Sequence, residues 1–214
     1  TASREFIRRY LLEKYDVRFI VVGYNYRFGH NGSGDTRLLT EMGKEMGFEV
    51  MVVPPVKVRG KVVSSSLIRE AIQQGDVTGA RLYLGRPYSI NGQIVRGAGR
   101  GKTLGYPTAN LDIGHKNMVI PKFGVYLTGC NLDGRWLWGV TNVGKNPTFE
   151  QSGLHIETYL LDYHGEELYG KRARLYCLRY IREERRFPSN QELMHQMERD
   201  IAAAKNLIYK RCKV

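Results

Sequence analysis

A chain of 214 residues, 42% of them hydrophobic, can bury one large soluble domain or two small ones. Its 33 Lys and Arg against 21 Asp and Glu leave a formal charge of +12, which favours polyanions, phosphorylated ligands and nucleic acid as partners. No apolar run approaches the ~20 residues of a membrane span, no signal peptide opens the chain, and Cys130, Cys177 and Cys212 have neither CxxC nor Cys/His zinc spacing. A reduced, cytoplasmic setting without a membrane is therefore expected. The chain opens with Thr1, almost directly on a helical pattern, and we expect further sequence upstream.

In the first segment Phe6, Ile7, Tyr10 and Leu11 recur at helical spacing, and Phe19 to Gly23 reads as a short buried strand. Asp35 is placed to cap a helix with Leu38, Leu39, Met42 and Met46 on one face, stopped by Gly47 and followed by a strand from Phe48 to Val53. This helix–strand rhythm predicts an α/β unit with a parallel sheet. Ser64-Ser65-Ser66 gives a hydroxyl-rich start to a helix ending at Gly75, and Asp76 caps another reaching Leu84. At Gly85-Arg86-Pro87 the character changes, so the expected domains are 1–84 and 85–214.

From Tyr88 onward strands and turns dominate: Tyr88 to Val95, Gly124 to Cys130, Trp136 to Val143, Leu154 to Tyr163 and Arg172 to Ile181. Asn91-Gly92, Asp133-Gly134 and His164-Gly165 punctuate them, and strands without intervening helices predict a small antiparallel β-barrel. A capping box at Ser189-Asn190-Gln191-Glu192 starts a last helix, whose stripe of Leu193, Met197, Ile201 and Ala204 should pack on the barrel.

Gly97-Ala98-Gly99-Arg100-Gly101-Lys102-Thr103 suggests a Walker A loop, but three residues rather than four separate the first glycine from Gly101-Lys102, and Leu104-Gly105-Tyr106-Pro107 is a poor helix start. The physics of a phosphate cradle survives, because glycines let backbone N–H groups approach an anion and Arg100 and Lys102 add charge. A basic hairpin loop fits the glycines equally. After Pro107, extended backbone puts Thr108 and Asn110 on one side, a neutral oxygen pair suited to Mg²⁺; two side chains capping a local turn are the alternative. Alternation from His155 to Asp162 groups Glu157 with His155, Tyr159 and Leu161 rather than with other charges. A carboxyl so placed is expected to be raised toward the range of a general base, the alternative being a solvated residue paired with an arginine.

The GxGRGKxLGYPTANL loop, Phe123-Gly124-Val125-Tyr126, Gly139 to Gly144 leading to Asn146-Pro147-Thr148-Phe149, His155-Ile156-Glu157 and Leu168-Tyr169-Gly170 occur in an order that resembles the riboflavin kinases. Val22 to Gly29 and Ser64 to Arg69 are similar to later motifs of the adenylyltransferase domain in the bifunctional bacterial riboflavin kinase/FAD synthetases. The resemblance implies a partial Rossmann-like nucleotidyltransferase segment, then a kinase barrel with a C-terminal helix. It implies transfer of the ATP γ-phosphoryl group to the 5′-hydroxyl of riboflavin, with a phosphate cradle at Gly97, Gly99, Arg100, Gly101 and Lys102. Thr108 and Asn110 then hold Mg²⁺, and Glu157 is the base. Asn25, Ser65, Ser66 and Arg69 carry over as ATP contacts of the adenylyltransferase segment. Arg182 and Phe187, in the connection before the last helix, are candidates for closing over the flavin, since a planar cation and an aromatic ring suit its face; a basic, solvated turn is the alternative.

The paired histidines of the adenylyltransferase, spaced HxGH, do not occur in this sequence, so FMN adenylylation does not carry over to this chain alone. Riboflavin, FMN, ATP and ADP are the expected partners, without nucleic acid. A basic barrel that binds RNA is the alternative that the charge and the 14 tyrosines allow, although it leaves Gly97 to Asn110 without a role.

Overall fold

The computed structural model describes residues 1–97, 99, 101, 104–114, 117–145 and 153–212, the last two by backbone alone. Arg100, Lys102, the Asn146-Pro147-Thr148-Phe149 motif and the Cys212 side chain lie outside the described residues. Two compact units divide between Val63 and Ser64.

In the first unit, α1 (Ser3–Phe6) runs on into a wider-turned helical stretch, Ile7–Glu13, that buries Ile7. Strands β1 (Phe19–Gly23) and β2 (Glu49–Val53) pair in parallel, Phe19 opposite Glu49 and Gly23 opposite Val53. Between them α2 (Thr36–Met46) starts where the Asp35 carboxylate accepts the Leu38 N–H and stops where Gly47 turns left-handed. Ile7, Val22, Phe28, Leu39, Met42 and Phe48 form the core, whereas Met46, expected on the buried stripe, is exposed at the last turn of α2. A tight hairpin, β3 (Lys57–Val58) and β4 (Lys61–Val62), turns at Arg59-Gly60, where both residues have positive φ.

The second unit opens with α3 (Ser65–Gln73), capped by Ser64 accepting the Leu67 N–H, and α4 (Val77–Leu84), capped by Asp76 accepting the Gly79 N–H. Val77 of α4 is buried in the barrel core. These two helices thus belong with the barrel, ahead of the Gly85 boundary at which the sequence changes character.

Six strands then close a barrel of all-antiparallel neighbours in the order β10-β5-β6-β9-β8-β7. They are β5 (Tyr88–Val95), β6 (Thr108–Asp112), β7 (Gly124–Leu132), β8 (Arg135–Lys145), β9 (Leu154–Leu160) and β10 (Arg172–Arg182). Strand alternation sends Tyr126, Cys130, Leu137, Val143, Ile156, Leu160, Leu175 and Cys177 inward. Hydroxyls of Thr128, Thr141 and Thr158 run across three strands inside this core, 2.7 and 2.8 Å apart, each satisfying its neighbour. On the outer face α5 (Asn190–Cys212) lays Ile201, Ala204, Leu207 and Ile208 over Leu127, Val140 and Leu161. It starts where the Ser189 hydroxyl accepts the Glu192 N–H.

Candidate active site

Pro107 releases the chain into β6, whose register places Thr108 opposite Tyr159 and Asn110 opposite Glu157 of β9. On the other side of β9, Glu157 faces Asn142 of β8. Asn110, Glu157 and Asn142 therefore form one row across three strands. Thr108 donates its hydroxyl hydrogen bond to one Glu157 carboxylate oxygen, and His155 Nε2 lies 2.7 Å from the other.

The expected direction of the Glu157 shift is corrected. Burial is the largest single effect and pushes the carboxyl up, but hydrogen bonds from His155, Thr108 and Asn110, with the charge of His155, together outweigh it. The carboxyl is held below its ordinary value. These partners come from strand register as well as from local sequence, and so they stabilise the ionised form of a group that alternation alone marks as desolvated.

The glycine-rich segment lies directly on the Thr108/Asn110 pair. A Cβ on Gly97 would stand 2.1 Å from the Asn110 side-chain nitrogen, and one on Gly101 would stand 2.4 Å from the Tyr106 carbonyl oxygen and 3.0 Å from Thr108 Oγ1. Only a bare backbone fits there. Gly99, by contrast, has open space beside it and is glycine for its φ of 69°. The loop returns through Leu104 and Tyr106, whose N–H groups both donate to the Gly101 carbonyl.

A cavity of about 270 Å³ opens beside this row, between the outer barrel wall and α5. Gly101, Leu104, Thr108, Asn142, Glu157 and Tyr159 line the barrel side, and Leu193, Met197, Asp200 and Ile201 line the helix side. The connection after β10 supplies Arg182, Glu184, Arg185 and Phe187, with the Arg182 and Arg185 guanidinium carbons 5.8 and 4.7 Å from the Phe187 ring centre. The fold thus brings together Gly97, Gly101, Thr108, Asn110, Glu157, Arg182 and Phe187.

Ser65, Ser66 and Arg69 lie exposed on α3, with Ser64 rather than either of them as the capping hydroxyl. Asn25 is exposed in the turn after β1, in the first unit. Sequence reasoning missed Asn142, His155 as the partner of the carboxylate, and the buried polar pair Gln196 and Asp200 on α5. The last two were findable, because they sit four apart on the helix face that the apolar stripe marks as buried. Trp136 and Trp138 share one outer face of β8, as alternation predicts, with rings edge to face at 5.8 Å. Among the described residues no helix is long and apolar enough to cross a membrane.

Residues 84–208 match the family model described as riboflavin kinase, and residues 1–67 match that described as FAD synthetase. A Pseudomonas fluorescens protein named bifunctional riboflavin kinase/FMN adenylyltransferase is 36% identical over 207 residues, covering 96% of this chain and 66% of its own. Proteins of the same name from Listeria monocytogenes and Escherichia coli are each 34% identical, covering 93% and 95% of this chain and 62% and 64% of their own. The chain thus spans less than two thirds of the length of these curated relatives. A solved Streptococcus pneumoniae structure described as a macrolide-efflux protein superposes with a TM-score of 0.82 at 32% identity, covering 96% of this chain and 65% of that one. The chain belongs to the riboflavin kinase family, and its relatives there bear the name bifunctional riboflavin kinase/FMN adenylyltransferase.

Proposed function

We propose that this chain transfers the γ-phosphoryl group of ATP to the 5′-hydroxyl of riboflavin, giving FMN and ADP. The observation that carries the reading is the placement of Glu157. Its carboxylate sits in the cavity wall, held by Thr108 and His155, with the glycine loop on one side and Arg182 and Phe187 on the other. Phosphoryl transfer demands positioning and charge neutralisation more than covalent catalysis, and the placement of Glu157 between the glycine loop and the Arg182–Phe187 wall supports the first of these.

The flavin ring lies against Phe187 and Arg182, which directs its ribityl chain toward Glu157. Glu157, ionised because its pKa is depressed, accepts the 5′-hydroxyl proton as that oxygen forms its bond to the γ-phosphorus. The bond from that phosphorus to the bridging oxygen breaks, and ADP carries the electron pair away. Backbone N–H groups of the Gly97, Gly99 and Gly101 segment receive the phosphates, and Arg100 and Lys102 add positive charge.

Thr108 and Asn110 are suited to hold Mg²⁺. Among the described residues no group of three or more His, Cys, Asp or Glu forms a metal cluster, and the tight seat of Gly97 and Gly101 leaves a cradle beside a neutral oxygen pair. When bound, the ion neutralises charge on the β- and γ-phosphates. We further propose that the activity belongs to a reducing cytoplasm, which suits the buried, unpaired thiols of Cys130 and Cys177, and that nucleic acid is not a partner. Asn25, Ser65, Ser66 and Arg69 are proposed ATP contacts for an adenylyl transfer of the kind named for the relatives, and FAD synthesis is not assigned to this chain alone.

The test is incubation with MgATP and either riboflavin or FMN, followed by chromatographic separation of the flavins. FMN from riboflavin, without FAD from either, is expected. Absence of FMN, together with salt-sensitive binding of oligonucleotides, would overturn the reading in favour of an RNA-binding barrel.

A further inference from the structure

Asp200 is a buried carboxylate inside the wall of an otherwise largely apolar cavity, with its side chain 5% exposed. Arg182 grips it bidentately, Nε at 2.9 Å from one oxygen and Nη2 at 2.7 Å from the other. Gln196, one turn earlier on α5, donates to Asp200 at 2.9 Å, and its side-chain oxygen accepts from Arg185 at 2.8 Å. One carboxylate therefore orders both guanidinium groups that lie over Phe187.

The same connection meets the barrel at two further points. Lys122 pairs with Glu183 at 2.7 Å, and the Glu184 carboxylate lies so close to Gly144 that a Cβ there would stand 1.9 Å from it. Bound through Arg182 and Arg185 to the Asp200–Gln196 pair, the segment from Arg182 to Phe187 is an ordered wall of the cavity. A buried salt bridge is weak evidence of a stabilising role, since well-packed apolar residues often serve a fold as well. What an apolar pair cannot do is fix the direction of two planar cations.

We propose that Asp200 is a positioning residue for the acceptor: through Arg182 directly, and through Gln196 and Arg185, it holds the cation-and-ring wall against which a planar aromatic substrate is seated. The inference rests on the riboflavin reading above. Asp200 acts on the wall and does not touch the reacting atoms.

The test is Asp200→Asn in the full chain, which keeps the shape and removes the charge. The riboflavin KM should rise on the order of tenfold, the loss expected when a buried charge pair is weakened, while the ATP KM and the kcat at saturating riboflavin stay within about threefold. Combined with Arg182→Gln, the effects on riboflavin KM should be non-additive, because both changes disable one device. An unchanged riboflavin KM, equal losses for both substrates, or additive effects overturn the role. Should Asp200→Asn fail to fold, Gln196→Leu severs only the Arg185 branch and should raise the riboflavin KM about threefold with the same split; no rise overturns the proposal. A wild-type chain that neither quenches riboflavin fluorescence nor forms FMN overturns the functional reading and this role together. An active wild type with an unaffected variant overturns the role alone.

Discussion

Glu157 gathers its partners from two directions: His155 two residues back on its own strand, and Thr108 and Asn110 from β6 across the sheet. Replacing it by Gln keeps the size and removes the proposed proton acceptor. Turnover of riboflavin should fall by about 10²–10⁴-fold, with riboflavin and ATP affinities little changed, as read by steady-state kinetics and fluorescence titration. Because the carboxyl lies below its ordinary value of 4.5, the acid limb of kcat/KM should lie below that pH. His155→Phe removes two of the lowering influences and leaves burial, so the limb should move to higher pH in the variant's pH–rate profile. The same sign governs stability. A carboxyl depressed by folding stabilises the native chain above its unfolded pKa, and that contribution is lost as pH falls through the folded value. In the sequence, alternation put Thr108 and Asn110 on one side and grouped Glu157 with His155, Tyr159 and Leu161, but it left their roles open, and only the resemblance to the riboflavin kinases assigned them. The direction of the pKa shift was not legible, because it depends on which strand lies beside which.

At the scale of elements, caps and stops read well: Asp35, Ser64, Asp76 and Ser189 each accept the backbone N–H that their spacing predicts, and Gly47 and Gly85 turn left-handed at helix ends. Strand ends read less well. β9 stops at Leu160, ahead of the expected Tyr163, where Asp162 turns to a φ of 54°. β6 was legible as extended backbone but not as a barrel strand, since its five residues carry too little alternation to announce a partner. Nothing in the sequence announced the threonine ladder, whose members come from β7, β8 and β9. Thr141 is its middle member, bonded to Thr128 on one side and Thr158 on the other. Thr141→Val keeps the shape and strips both neighbours of a partner, and should cost about 1–3 kcal/mol in denaturant-unfolding measurements. Thr158 would retain less than Thr128, which also lies 3.2 Å from the Gly139 carbonyl.

For the whole molecule, the break in compactness and the break in sequence character differ. The sequence changes at Gly85, yet Val77 of α4 is buried within the barrel core and Lys122 donates its backbone N–H to Ile72 of α3. We propose that the kinase unit begins at Ser64. Residues 64–214 expressed alone should unfold cooperatively and form FMN, whereas residues 85–214, stripped of α3 and α4, should melt at lower temperature or aggregate. Equal melting temperatures for the two would place the boundary at Gly85. The composition that first suggested polyanionic partners is compatible with a phosphate-handling site. Barrel closure has a further consequence, for synthesis. β10 pairs with β5, the first strand, on one side and with β7 on the other. On the ribosome β5 must therefore wait, with one edge bare, until the last strand emerges, and such non-local closure is slow. Arg182 ends that strand and Asp200 follows it, so the nascent polypeptide has no complete cavity until α5 has emerged as well.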